Sequence, residues 1–234
     1  MTTFLKMHGL GNDFAVFDAR NQSLALDAAT ARALADRRFG VGCDQVIVIE
    51  RATNGADAFM RIYNSDGGEV ESCGNAARCV ARLLMDEKGA NQIKLDTTGG
   101  ALICKADGKN VSVDMGVPKL GWREIPMARE TDTLSFPIAI AGSDFYPLTI
   151  ATAVNVGNPH VILFVQDAEH APVAELGPKI EMHPLFPERT NVEFVSLIDK
   201  DKLRMRVWER GVGITMACGT GACATMVAAH RRGL

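Results

Sequence analysis

Two of the six cysteines lie in matching surroundings. Cys73 is followed by Gly74-Asn75-Ala76-Ala77, and Cys218 by Gly219-Thr220-Gly221-Ala222. In each case an apolar or alanine-rich helical stretch comes next. A helix N-terminus presents unpaired backbone N–H groups and the positive end of the helix dipole. Such a terminus lowers the pKa of a neighbouring thiol and receives a carboxylate well. Glycine after the cysteine lets a ligand approach the backbone closely. Two such thiols flanking one carbon could remove a proton on one face and return one on the other, which inverts a stereocentre.

A lone Cys-Gly at a helix start is more often structural than catalytic, because free cysteine is commonly just a small buried hydrophobe. An internal repeat reverses that preference. Cys73 and Cys218 are 145 positions apart (218 − 73), as are Arg61-Ile-Tyr-Asn64 and Arg206-Val-Trp-Glu209 (206 − 61). Gly11-Asn12 answers to Gly157-Asn158, and Asp44-Gln45-Val46 to Thr190-Asn191-Val192, both at an offset of 146 (157 − 11 and 190 − 44). The other four cysteines, Cys43, Cys79, Cys104 and Cys223, read as small buried hydrophobes. A hydrolase-type Cys–His nucleophile stays open, since His8 and His160 are available. It would account for one cysteine of the pair only.

The elements that must position the thiols repeat as well. Residues 44–49 and 191–198 are β-rich runs, and 59–63 and 203–208 alternate as half-buried strands. Ala77, Val80, Ala81 and Leu84 mark the apolar face of a helix that stops near Gly89. Residues 222–230 form a second helix with Gly233 beyond it. A further helix is expected over 27–38 with Asp27 as N-cap, and Gly9-Leu-Gly11 reads as a tight turn. The expected fold is α/β of the α+β type. It has two similar halves related by a pseudo-two-fold axis, each a curled, mostly antiparallel sheet around a central helix, with boundaries 1–120 and 121–234. Strands over 93–97, 101–105 and 111–115 follow the first Cys-Gly helix. Their counterparts would begin at about 238 (93 + 145), beyond Leu234. The second half is therefore expected to lack its last strands and to leave a sheet edge unpaired.

Polar residues recur where the halves match: Asn12 with Asn158, Gln45 with Asn191, Asn64 with Glu209. Each asparagine alone reads as a turn former. As a set with Glu209 and Arg210 they suit a zwitterionic amino acid, with Glu209 pairing an ammonium and Arg210 a carboxylate.

The 234 residues carry a net charge of −3, which offers no basic surface for nucleic acid or an anionic membrane. No apolar run reaches the length of a membrane span, and the N-terminus shows no signal core. A cytoplasmic location is expected. No Cys-x2-Cys pair, Walker loop or Rossmann glycine motif occurs, so neither metal nor cofactor is expected.

Taken together, these motifs resemble diaminopimelate epimerase, of the pyridoxal-phosphate-independent amino-acid racemases. The resemblance runs through residues 6–14, 40–45, 64–67, 73–79, 157–160, 186–191, 209–211 and 217–223. It implies interconversion of LL- and meso-2,6-diaminopimelate in lysine and peptidoglycan-precursor synthesis, by a homodimer. It implies Cys73 and Cys218 as the acid–base pair, with the reacting carboxylate at Gly74, Asn75, Gly219 and Thr220. Asn12, Gln45, Asn64, Asn158, Asn191, Glu209 and Arg210 would bind the rest of the substrate, and His160 and Glu209 would tune the site. Ile214 stands where the family more often has Glu, which reads as a loop change. The nearest alternatives are a proline or hydroxyproline racemase of the same fold, whose substrate lacks a second polar end, and an inactive truncated chain.

Overall fold

The protein is described by a computed structural model covering residues 3–24, 26–140 and 148–234. The chain divides into two units, Met1–Gly116 and Val117–Leu234.

The first unit runs β1 (Leu5–Gly9), β2 (Asn12–Asp18), α1 (Ala28–Ala35), β3 (Gln45–Glu50), β4 (Ala58–Asn64), β5 (Glu69–Val70), α2 (Gly74–Lys88), β6 (Gln92–Thr97), β7 (Gly100–Asp107) and β8 (Asn110–Asp114). Its sheet has the order β1-β2-β3-β4-β6-β7-β8, with β5 also on β4. The β2–β3 and β4–β6 pairs are parallel, and the rest are antiparallel. The expected tight turn is there: Leu10 and Gly11 both have positive φ, 55° and 88°, as a two-residue hairpin loop requires.

β3 is buried on both faces because its alternate side chains enter two different clusters. Ile47 and Ile49 join Phe14, Val16, Met60 and Ile62 under Ala77, Val80 and Leu84 of α2. Val46 and Val48 join Ala15 and Phe17 against Ala31 and Ala35 of α1. The sheet thus lies between two helices, and each fully buried large aliphatic side chain contributes roughly 1.5–3 kcal/mol.

The second unit runs β9 (Phe136–Ala139), β10 (Leu148–Asn155), β11 (Pro159–Phe164), α3 (Val173–Glu181), β12 (Asn191–Asp199), β13 (Lys202–Glu209), β14 (Gly213–Ile214) and α4 (Gly219–Arg232). Its sheet order is β14-β13-β12-β11-β10-β9. The duplication is visible in the register. Phe14 pairs with Gln45 across the parallel β2–β3 ladder, and His160 pairs with Asn191 across β11–β12, each residue displaced by 146. The two-helix arrangement repeats too. Val161, Val192 and Phe194 pack with Leu176 and Ile180 of α3, while Ile162 and Val195 pack with Ala224 and Ala228 of α4. Among the described residues, nothing in this unit corresponds to β6–β8; β13 pairs with β12 and β14. Conversely, β9 lies on β10, whereas β1 pairs with β2 alone among the described residues.

Three local expectations are corrected. The first helix ends at Ala35, not at 38: Asp36 leaves helical geometry, and its carboxylate takes the N–H of Arg38 and Phe39. Ile214 is not in a loop but in β14, opposite Trp208, and is exposed. Cys223 is exposed, unlike Cys43, Cys79 and Cys104, because it lies on the side of α4 that faces away from the sheet.

Candidate active site

Both expected cysteines are N-caps. Cys73, with φ −146° and ψ 109°, stands in extended geometry just before α2, and its sulfur accepts the N–H of Ala76 at 3.5 Å. Cys218, with φ −122° and ψ 112°, does the same for α4, accepting from Gly221 at 3.3 Å. Each helix closes on a left-handed glycine, Gly89 and Gly233. Each unit thus offers a buried thiol at the positive end of a helix of about four turns.

In the first unit Asn12 Oδ1 lies 3.8 Å from Cys73 Sγ and accepts from Asn75 Nδ2 at 3.4 Å. Asn12 is held from behind: its amide nitrogen donates to Asp44 at 3.0 Å, and Asp44 also accepts the Asp13 N–H and is paired with Arg37. Burial alone would raise the Asp13 carboxyl, but Arg37 and Lys6 outweigh it and hold the group well below the usual carboxylate range. This ionic cluster fixes the start of β2, and with it Asn12. A second pair follows from the β3–β4 register, in which Gln45 faces Asn64. Gln45 Nε2 donates to Asn64 Oδ1 at 2.9 Å, and Gln45 Oε1 is buried with no hydrogen-bond partner. A buried acceptor left free is costly unless something else fills it.

In the second unit the groups around the thiol are ionisable. Cys218 Sγ lies 3.3 Å from Thr220 Oγ1, and Asn158 donates to that hydroxyl at 3.4 Å. Asn158 Oδ1 faces His160 Nε2 at 2.8 Å, and His160 Nδ1 faces Glu193 at 2.7 Å. Glu209 is held by the Thr215 hydroxyl. Burial, then the Glu209 and Glu193 carboxylates, push the Cys218 thiol well above its ordinary value. This corrects the expectation that the helix start leaves the thiol acidic: the Gly221 N–H does act in that direction, but desolvation is larger. Burial likewise raises Glu209, against the hydrogen bond from Thr215. Asn191 spans β11 and the loop after β13, donating to Pro159 O and accepting the Arg210 N–H, both at 2.9 Å. The Arg210 guanidinium donates to Glu188 O at 3.2 Å.

Within each unit the structure brings together part of what the sequence singled out: Cys73, Gly74, Asn75 and Asn12 in the first, with Gln45 and Asn64 paired to each other; Cys218, Gly219, Thr220, Asn158 and His160, with Glu209, in the second, with Asn191 and Arg210 joined to each other. Sequence reasoning passed over Asp44 and Glu193. Asp44 carried a signal, since it lies inside the repeated Asp44-Gln-Val segment. Glu193 carried none, because a glutamate in a strand normally faces water.

This architecture, a doubled sheet-and-helix unit, recurs among solved structures. A crystal structure of a hydroxyproline epimerase from Agrobacterium vitis, with bound trans-4-hydroxy-L-proline, superposes with a TM-score of 0.70 at 18% identity, covering 98% of this chain and 77% of that one. A predicted epimerase from Pseudomonas aeruginosa gives 0.62 at 18% identity, covering 100% and 83%. At that identity the likeness concerns the fold.

The sequence relatives are more specific. The diaminopimelate epimerase family model matches residues 4–121 and 152–234. The diaminopimelate epimerase of Rhodospirillum centenum is 54% identical over 234 residues, covering 99% of this chain and 78% of its own length. That of Nitrosomonas europaea is 46% identical, covering 99% and 84%. The chain belongs to the diaminopimelate epimerase family and is an isomerase.

Proposed function

We propose that this protein interconverts LL- and meso-2,6-diaminopimelate, in lysine and peptidoglycan-precursor synthesis, with Cys73 and Cys218 as its acid and base. The observation that carries the reading is the matched pair of N-capping thiols in a chain about half identical to named diaminopimelate epimerases. A thiolate takes the α-hydrogen as a proton, and its electron pair stays on the α-carbon. The other thiol then gives its proton to the opposite face of that carbon and is left as thiolate. No net electron transfer occurs. The α-proton is far less acidic than a thiol, so the carbanion must be stabilised by fixed dipoles where charge develops. The N–H groups at the starts of α2 and α4, from Gly74, Asn75, Gly219 and Thr220, receive the reacting carboxylate. Asn12, Gln45, Asn64, Asn158, Asn191, Glu209 and Arg210 hold the rest, with His160 and Glu209 setting the charge around Cys218. The free Gln45 Oε1 supports this reading, as an acceptor suited to a substrate ammonium.

A proline-type racemase is less well supported: the likeness to the hydroxyproline epimerase rests on fold at 18% identity. In this reading the enzyme works in the cytoplasm as a homodimer on a small-molecule substrate. Among the described residues, no helix is long and apolar enough to cross a membrane. Turnover of LL-diaminopimelate in deuterium oxide tests the mechanism. Deuterium at the inverted α-carbon is expected, and inversion without exchange would argue for another route.

A further inference from the structure

Glu193 is completely buried, and its surroundings are unusual for a carboxyl group. Oε1 meets His160 Nδ1 at 2.7 Å, and Oε2 has no hydrogen-bond partner. A β-carbon added to Gly221 would lie 2.8 Å from Glu193 Oε1 and 3.2 Å from Cys218 Sγ, so the carboxyl occupies the space beside the capped turn of α4.

The internal duplication shows what these positions hold when no such pair is needed. The counterparts of His160 and Glu193 are Phe14 (160 − 146) and Ile47 (193 − 146), and that of Gly221 is Ala76 (221 − 145). All three belong to one apolar cluster beneath α2. The second unit has exchanged a phenylalanine, an isoleucine and an alanine for an imidazole, a carboxyl and the glycine that makes room for it. Stability does not explain the exchange, because replacing both partners of a buried hydrogen-bonded pair by apolar groups of similar shape can be nearly neutral or stabilising.

The hydrogen-bond roles say what the pair does. Asn158 Oδ1 is an acceptor, so the His160 Nε2 that faces it carries hydrogen. Nδ1 meets a carboxyl oxygen, and that contact is satisfied with the proton on either partner. In both arrangements Nε2–H stays directed at Asn158, and the Asn158 amide nitrogen stays turned toward Thr220 beside Cys218. Without Glu193 the ring could adopt the other tautomer, and Asn158 would rotate its amide to suit it.

We propose that Glu193 is a positioning residue for the reaction: by fixing the His160 ring it fixes the Asn158 amide and the start of α4 at Cys218. This rests on the functional reading above, and the test separates the two. Glu193→Gln, Glu193→Ala and the double variant His160→Phe/Glu193→Ile, which copies the first unit, are compared with wild type. Thermal melting, kcat/KM with diaminopimelate and the imidazole 15N–1H NMR signals of His160 are recorded. The side-chain amide introduced by E193Q can donate hydrogen to Nδ1, so this variant keeps the Nε2–H signal and stays within about tenfold of wild-type kcat/KM. E193A loses roughly 10²-fold, the scale of a misplaced site group, and its imidazole signals shift. The double variant melts no lower than wild type yet is as slow as E193A, so the proposal stays testable should E193A fail to fold. Wild-type kcat/KM within about threefold in E193A or the double variant would overturn the proposal, as would E193Q falling as far as E193A. If wild type itself turns over no diaminopimelate, the functional reading fails instead. The His160 signals then decide the role of Glu193, and unchanged signals in E193A overturn it.

Discussion

Cys73 and Cys218 occupy equivalent posts: each sulfur caps a helix by accepting the N–H of the third residue on, Ala76 for one and Gly221 for the other. The first prediction follows from this double role. In the proposed mechanism Cys73→Ala and Cys218→Ala each remove the acid or base of one face, and each should abolish epimerisation. The structural cost is that of one cap, about 1 kcal/mol, or a fall in Tm of roughly 2–4 °C for a chain of this size. Assays of turnover alongside circular-dichroism melts check both halves of the statement. Full turnover by either variant would end the two-thiol mechanism.

Asp44 supplies the second prediction. Its carboxylate takes hydrogen bonds from the Asn12 side chain and the Asp13 backbone, both at 3.0 Å, and pairs with Arg37 at 2.7 Å. Asp44→Ala frees the Asn12 amide and leaves the Arg37–Asp13 pair in place at 2.8 Å. Asn12 lies beside Cys73, so kcat/KM should fall by about 10-fold or more through lost orientation. The pair lost is partly exposed, so the change in Tm should be small. A steady-state assay with a melt separates the two. A large loss of Tm with kcat/KM intact would assign Asp44 to stability alone.

The repeat explains how much of this was legible. Matched spacing located both cysteines, both helices and the Gln45/Asn191 and Asn64/Glu209 positions, because each strand-to-helix segment is written twice. Elements whose sequence contradicts their structure stayed hidden. α3 contains Gly177 and Pro178, both poor helix residues, and is retained because Leu176 and Ile180 are buried and Gly177 sits against Trp208. β9 is short and carries Pro137, and the β10–β11 hairpin shows no clean alternation. Glu193 was invisible because its meaning comes from a partner 33 residues away in sequence.

The buried thiols predict an alkaline liability. Burial raises Cys43 and Cys79, and pushes Cys104 up to about 12. A thiol whose folded value exceeds its unfolded value binds its proton more tightly when folded. That contribution is complete below the unfolded value of about 8.5, and it is lost as pH climbs from there toward the folded value. Stability should therefore fall between about pH 8.5 and 12, and Cys104→Val should flatten the decline. Denaturant midpoints measured across that range check the slope. An equal slope in C104V would show that Cys104 does not contribute.

Gly177 and Trp208 give the last prediction. A β-carbon on Gly177 would fall 2.5 Å from Trp208 Cγ, 2.6 Å from its Cβ and 2.7 Å from Cδ2, so α3 can lie on β13 only without it. The indole also donates to Glu181 at 2.6 Å, and Glu181 accepts the Gly211 N–H at 3.0 Å, just past Glu209 and Arg210. Gly177→Ala must displace the indole and strain that chain of contacts. Overpacking of this kind costs about 1–3 kcal/mol, set against the small gain alanine brings to any helix. Urea unfolding should show the loss, and Gly177→Ala with Trp208→Phe should be less destabilised than the two single effects added, since the smaller ring vacates part of the contested space. Strict additivity would mean that the two residues do not share that space.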